Sequence, residues 1–308
     1  MITAVAILGP TASGKSRLGI ELALRMSGEI LSIDSRQAYR RIDIGTAKPS
    51  PEERGLVAHH LIDILDIREK SHAQKYAILA HAALRDAASR GKLPIFVGGS
   101  GLYFRAIETG FFDVALGSAD RIAFAESLRR VSNESLHDRL RTLDPESARR
   151  IHRNDRYRLV RALEVQALTG TSLSEHRLRQ RLDPSRDEIA FIKIGLDTDR
   201  GELHRSIGER AKRMFERGWS EEVESLLADG VDPEWPGMRT LGYPQVVSHV
   251  RGESGLDETV ERISELTRQY AKRQVTWFRR EPATHWLAAA DPGLIEAAAE
   301  LVERRRTG

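Results

Sequence analysis

The sequence predicts an α/β protein: a parallel sheet with flanking helices, built on a phosphate-binding loop and interrupted by a mainly helical insertion. Three observations carry that expectation. Apolar runs of strand length alternate with helical patterns through the first hundred residues. A glycine-rich turn with P-loop spacing joins the first such run to the first helical pattern. Near Asp120 the texture changes to helix after helix, until an apolar strand pattern returns at Ile189.

Taken in order, Ala4–Leu8 reads as a strand, Arg17–Met26 as a helix and Glu29–Ile33 as a second strand ending at Asp34. His60–Ile64 is a weak third strand. Gln74–Arg90 is an Ala-rich helix stopped by Gly91, and Leu93–Val97 is a buried-type strand entering the turn Gly98–Gly101. Helical patterns follow in Ser135–Leu143, Pro145–Ile151 and Asp155–Thr169, the last closed by Gly170. Ile189–Leu196 returns to strand, followed by helices at Arg200–Arg217, Ser220–Asp229 and Leu256–Arg280. The expected domains are a core of residues 1–115 and 186–308 and an insertion of residues 116–185.

Composition narrows the function. The chain has 308 residues and a net charge of +3, from 48 Lys and Arg against 45 Asp and Glu, which leaves room for a large core. No apolar run is long enough to span a bilayer, and strand begins at once after Met1 with no leader pattern, so a cytoplasmic protein away from membranes is expected. The absence of Cys excludes disulfides, Cys-ligated zinc, iron–sulfur clusters and a Cys nucleophile. Of the 48 cations 40 are Arg, and residues 121–181 carry 14 Arg against 8 acids. Arg suits phosphate and base contacts, although the coding bias of a GC-rich genome produces the same excess.

The strongest motif is Gly9-Pro10-Thr11-Ala12-Ser13-Gly14-Lys15-Ser16, with strand before and helix after, as in a P-loop NTPase-like fold. Its backbone N–H groups can cradle phosphate, Lys15 supplies a charge, and the Ser16 hydroxyl is a candidate Mg²⁺ ligand. Asp34 belongs at the same carboxyl edge of the sheet, as a Mg²⁺ ligand, a general base or a helix N-cap. Ser35, Arg36, Gln37, Ala38 and Tyr39 add polar groups there. Gly98-Gly99-Ser100-Gly101 brings another turn and a hydroxyl, or serves only a tight βα connection. Lys48, in Asp43–Pro49, is either part of a structured loop or a solvated charge. His59 and His60 have no partners at metal-ligand spacing. Residues 268–280 hold five cations, three aromatics and no acid, a pattern that suits nucleic acid as well as a packed helix.

Together the motifs resemble the tRNA dimethylallyltransferase (tRNA isopentenyltransferase) family. The matching stretches are GPTASGKS (9–16), Asp34-Ser35, DIGTAKP (43–49), HHLIDI (59–64), VGGSGLYF (97–104), IHRNDRYRLVRALEV (151–165), MRTLGYPQ (238–245) and AKRQVTWFRR (271–280). They run colinearly from residue 9 to residue 280. The resemblance implies transfer of a dimethylallyl group from dimethylallyl diphosphate to N6 of the adenosine 3′ of the tRNA anticodon, with Mg²⁺. It places Asp34 as the base, Lys15 and Ser100 as its catalytic companions, and residues 9–16 on the diphosphate. Asp34, Ser35, Arg36, Gln37, Ser100, Tyr157, Arg158, Arg161, Arg239, Lys272, Arg273, Gln274, Trp277 and Arg279 fall on segments that contact the anticodon stem-loop. A monomer is expected. Three departures stand out. Phe112–Asp120 replaces a Pro-rich approach, Phe124 aligns with a tRNA-contacting Arg for which Arg121 is the nearby substitute, and Pro244 stands where many relatives have Arg. A P-loop kinase or an adenylate isopentenyltransferase would share the P-loop and Asp34 but would have no use for the basic insertion. An RNA-binding module would leave Asp34 and the two converging glycine turns without a purpose.

Overall fold

The computed structural model describes residues 1–110, 118–181 and 189–307. Its strands are β1 (Ile2–Leu8), β2 (Gly28–Ile33), β3 (His59–His60), β4 (Leu93–Gly98), β5 (Ile189–Asp197) and β6 (Thr284–Ala288). They form one sheet in the order β3-β2-β4-β1-β5-β6, with every pairing parallel. The helices of the sheet-bearing part are α1 (Lys15–Arg25), α2 (Pro51–Leu56), α3 (Ala73–Ser89), α4 (Gly101–Thr109), α10 (Arg200–Glu216), α11 (Trp219–Ala228), α12 (Tyr243–Val250), α13 (Leu256–Phe278) and α14 (Leu294–Thr307). Between them lie α5 (Ser118–Ser127), α6 (Asn133–Leu143), α7 (Pro145–Arg150), α8 (Arg156–Thr169) and α9 (Leu173–Arg181).

The chain divides into two compact units, one of Met1–Glu108 with Asp187–Gly308 and the other of Thr109–Arg186. The boundaries expected at 115/116 and 185/186, and most of the Phe112–Asp120 departure, lie outside the described residues.

Burial on both faces explains why β1 reads as an unbroken apolar run. Ala4, Ala6 and Leu8 enter one core with Leu31, Ile33, Phe96 and Trp219, while Val5 and Ile7 enter another with Leu18, Ile30 and Ile95. The insertion has a separate core around Leu128, Leu136, Leu140, Leu159 and Leu163.

Two readings of the sequence need correction. The third strand stops at His60, because Leu61 (φ 67°) and Asp63 (φ 58°) adopt left-handed backbone conformations that end an extended run. Strand β6 pairs with β5 from Lys193↔Thr284 to Asp197↔Ala288, where the sequence had suggested no strand.

Candidate active site

β2, β4 and β1 are neighbours, and their registers bring Leu8, Ile33 and Gly98 level at the carboxyl edge. The loops that follow them therefore open side by side, where open α/β sheets bind ligands. Gly14 sits at the α1 N-cap with φ 86°, a conformation that costs glycine little, and no side chain caps the helix there. The first amides of α1 are thus left for an anion.

Residues from all three loops line one pocket of about 320 Å³: Thr11, Lys15 and Ser16, then Asp34 and Gln37, then Gly98 and Gly99. Lys15 is only 8% exposed and donates to the Pro10 carbonyl. Burial, reinforced by nearby Arg210 and opposed by Asp34, lowers its pKa to about 7. Ser16 is exposed and lines the same space. Asp34 Oδ1 accepts the Arg36 N–H at 2.8 Å, so this carboxylate closes a turn and does not cap a helix.

Ser100 is 9% exposed, its Oγ accepts the Ser35 N–H at 3.3 Å, and its side chain also hydrogen-bonds Tyr270 of α13. Gln274, one turn further along α13, is 6% exposed and acts as a strap. Its Oε1 accepts the Thr11 N–H at 2.8 Å, and its Nε2 donates to the Gly99 carbonyl at 2.9 Å. The resemblance placed Gln274 against RNA; here both ends of its amide are engaged by backbone. Gln37 is held in a similar way, accepting from Ser32 and donating to the Ala47 carbonyl. Trp277 packs against Gly101 and lies under the Arg105 guanidinium, 4.7 Å from its ring centre.

The remaining candidates are elsewhere. Arg36 and Arg273 are exposed, and the Arg273 guanidinium lies 5.8 Å from the Tyr270 ring. Lys272 and Arg279 line a larger groove of about 1080 Å³ with Thr198, His204 and Trp286. Arg239 pairs with Glu234 at 3.1 Å. In the insertion Tyr157 is 80% exposed, Arg158 pairs with Asp155, and Arg161 pairs with Glu164. Lys48 is buried and neutralised by Asp43 and Asp63, so it shapes the pocket wall and is not a solvated charge. The DIGTAKP and LGYPQ motifs meet at Trp219, where a Cβ on Gly45 or Gly242 would come within 2.3 or 2.2 Å of its ring.

Sequence reasoning missed Arg210 and Arg217, which also line the pocket. Burial lowers the Arg210 pKa, and Asp34 opposes that effect. Their seven-residue separation puts both on one helical face, a signal hidden by the many other Arg of α10.

This arrangement defines a P-loop NTPase-like protein with a cationic pocket beside a carboxylate. Comparison with known proteins narrows the class. The IPP transferase family matches residues 37–281, and the isopentenyl transferase family matches residues 2–69. The tRNA dimethylallyltransferase of Geobacter sulfurreducens is 44% identical over 92% of this chain and 91% of that protein. That of Methylococcus capsulatus is 44% identical over 98% and 97%. The crystal structure of the tRNA isopentenylpyrophosphate transferase from Bacillus halodurans aligns with a TM-score of 0.72 at 32% identity, covering 100% of this chain and 99% of that one. A eukaryotic dimethylallyltransferase acting on tRNA aligns with a TM-score of 0.78 at 27% identity, covering 99% and 78%. The chain belongs to the tRNA dimethylallyltransferase (IPP transferase) family.

Proposed function

We propose that this protein transfers a dimethylallyl group from dimethylallyl diphosphate to N6 of the adenosine 3′ of the anticodon in tRNA. One observation carries the reading: Lys15, Ser16, Asp34, Arg210 and Arg217 line a single pocket. Lys15, the two arginines and the free amides of α1 suit a diphosphate. Ile20, Ile30 and Val97 line the same pocket and offer a five-carbon chain an apolar wall.

In the reaction the N6–C1 bond forms as the allylic C1–O bond breaks, and the C–O electron pair leaves with diphosphate. The growing charge on that diphosphate falls beside Lys15 and Arg210, which therefore stabilise the transition state more than the ground state. The N6 proton passes to Asp34, whose hydrogen bond from Arg36 holds the carboxylate in place. Ser100 fixes the turn opposite through Ser35 and Tyr270.

Mg²⁺ fits this donor set through the Ser16 hydroxyl. A hydroxyl oxygen is a donor suited to a hard cation, and Ser16, exposed and lining the pocket, would hold the ion there. When bound, it adds charge neutralisation at the leaving group. Arg158, Arg161, Arg239, Arg273, Lys272 and Arg279 supply cations for the anticodon stem-loop. A monomer acting in the cytoplasm completes the proposal; no helix among the described residues is long and apolar enough to cross a membrane.

The test offers labelled dimethylallyl diphosphate with tRNA, with AMP, or with ATP alone. Label in tRNA only is expected. Label in AMP would move the assignment to a free-nucleotide prenyltransferase, and no transfer in any arm would end it.

A further inference from the structure

Within the insertion, two arginines from different helices converge on one buried carboxylate. Glu164 of α8 is 5% exposed. Its Oε1 accepts from Arg121 Nε of α5 at 2.8 Å and from Arg161 Nη1, one turn earlier on α8. Both arginine side chains stay open to solvent, at 43% and 31%. Neighbouring cations are used differently. Arg158 binds Asp155, the N-cap of α8, and Arg156 is spent on the carbonyls of Leu128, Arg129 and Val131. Phe124, where the resemblance expects an Arg, packs into the insertion core, and Arg121 lies one turn before it.

We propose that Glu164 is a positioning residue for RNA binding, which sets Arg121 and Arg161 as a paired guanidinium clamp for backbone phosphate. The proposal rests on the reading that the insertion contacts tRNA. Each arginine gives only part of its fork to Glu164, so N–H groups stay available for a second, phosphate acceptor. An arginine already held in place loses less side-chain freedom when it binds. Bare Coulomb attraction makes the opposite forecast, since removing an acid from a basic surface adds one net positive charge and should tighten binding to a polyanion.

Glu164→Gln separates the two, measured by tRNA affinity at several salt concentrations alongside thermal unfolding. The expected result is a tRNA Kd raised by about 3- to 10-fold with the Michaelis constant for the diphosphate unchanged. Unchanged or tighter binding by the folded variant overturns the proposal. Should Glu164→Gln fail to fold, Arg161→Lys decides, because it keeps the charge and loses the planar fork. A tRNA Kd raised by about threefold is expected, and an unchanged Kd overturns the clamp. Replacing Arg158, Arg161 and Arg273 together by Ala tests the underlying reading as a whole, since it removes one clamp arginine along with two other candidate tRNA cations. If that triple variant binds tRNA like wild type, the insertion is not an RNA platform and the clamp falls with it. If the triple variant is weak while Glu164→Gln is not, only the positioning role is lost.

Discussion

The carboxyl edge of the sheet and the cations of the insertion handle charge in opposite ways. At the edge, Lys15 is buried, depends on a backbone carbonyl, and has its pKa pulled down by desolvation. In the insertion, Arg129, Arg141, Arg150 and Arg158 are well exposed, and each is paired with an acid three or four residues away on the chain. Exposed pairs of this kind contribute little individually, whereas a desolvated charge aimed at a reacting group acts at full strength. Single residues should therefore matter greatly at the edge, and only groups of residues should matter in the insertion.

Asp34→Asn should give the largest effect. Asn keeps an oxygen for the Arg36 N–H, so the turn survives while the base is lost. Turnover is expected to fall by about 10²–10⁴-fold with tRNA affinity within a few-fold. Near-normal single-turnover rates would remove Asp34 from the chemistry.

Lys15→Ala comes next, with a loss in kcat of about 10²–10³-fold if the ammonium acts on the leaving group. Full turnover at saturating donor would show that Lys15 serves binding alone. The same residue makes a pH prediction. In the free protein Lys15 titrates near pH 7, and a bound diphosphate favours its charged form, raising its pKa. Donor binding therefore takes up a proton, and donor affinity falls as pH rises above about 7, by up to about tenfold per unit. Titration calorimetry in buffers of different ionisation enthalpy measures that uptake; no buffer dependence at pH 8 would contradict it.

Changing Arg158 and Arg161 of the insertion together with Arg273 of α13 to Ala tests the exposed cations as a group. Each lost phosphate contact should reduce the slope of log affinity against log salt by about 0.7–0.9, while each single change stays modest. A single one of them that abolished tRNA binding would break the comparison.

Ser100→Ala should have the smallest effect. Its hydroxyl accepts one long hydrogen bond from Ser35 and shares another with Tyr270, so the loss is about 0.5–1.5 kcal/mol, seen as a two- to tenfold fall in kcat. A loss as large as that of Asp34→Asn would give Ser100 a direct part in proton transfer.

Legibility in the sequence followed the same division. Strands buried on both faces, such as β1 and β4, announce themselves as short apolar runs, and the P-loop announces its own backbone geometry. The edge strand β6 does not, because its alternating exposure and its Trp286-Leu287-Ala288 run blend into the following Ala residues. Lys48 illustrates a second limit. Its burial depends on Asp63, fifteen residues away and held in a left-handed turn, and no local pattern encodes that meeting. Arg210 and Arg217 illustrate a third: in a chain with 40 Arg, the two that face the pocket are marked only by the packing of α10. Gln274 sat within a legible motif, yet its inward direction followed from α13 docking across two loops.

That strap has a consequence for how the protein comes into being. Thr11 and Gln274 are 263 residues apart, so at about 5–20 residues per second a ribosome needs roughly 13 to 53 s to deliver the partner of a loop it made at the outset. During that interval the nascent chain holds a phosphate-binding sequence whose loop is not yet tied to the turn after β4. Truncated or stalled products that end before α13 share that incomplete state. The pocket at the carboxyl edge is thus completed almost last, once α13 has been made and Gln274 can reach Thr11.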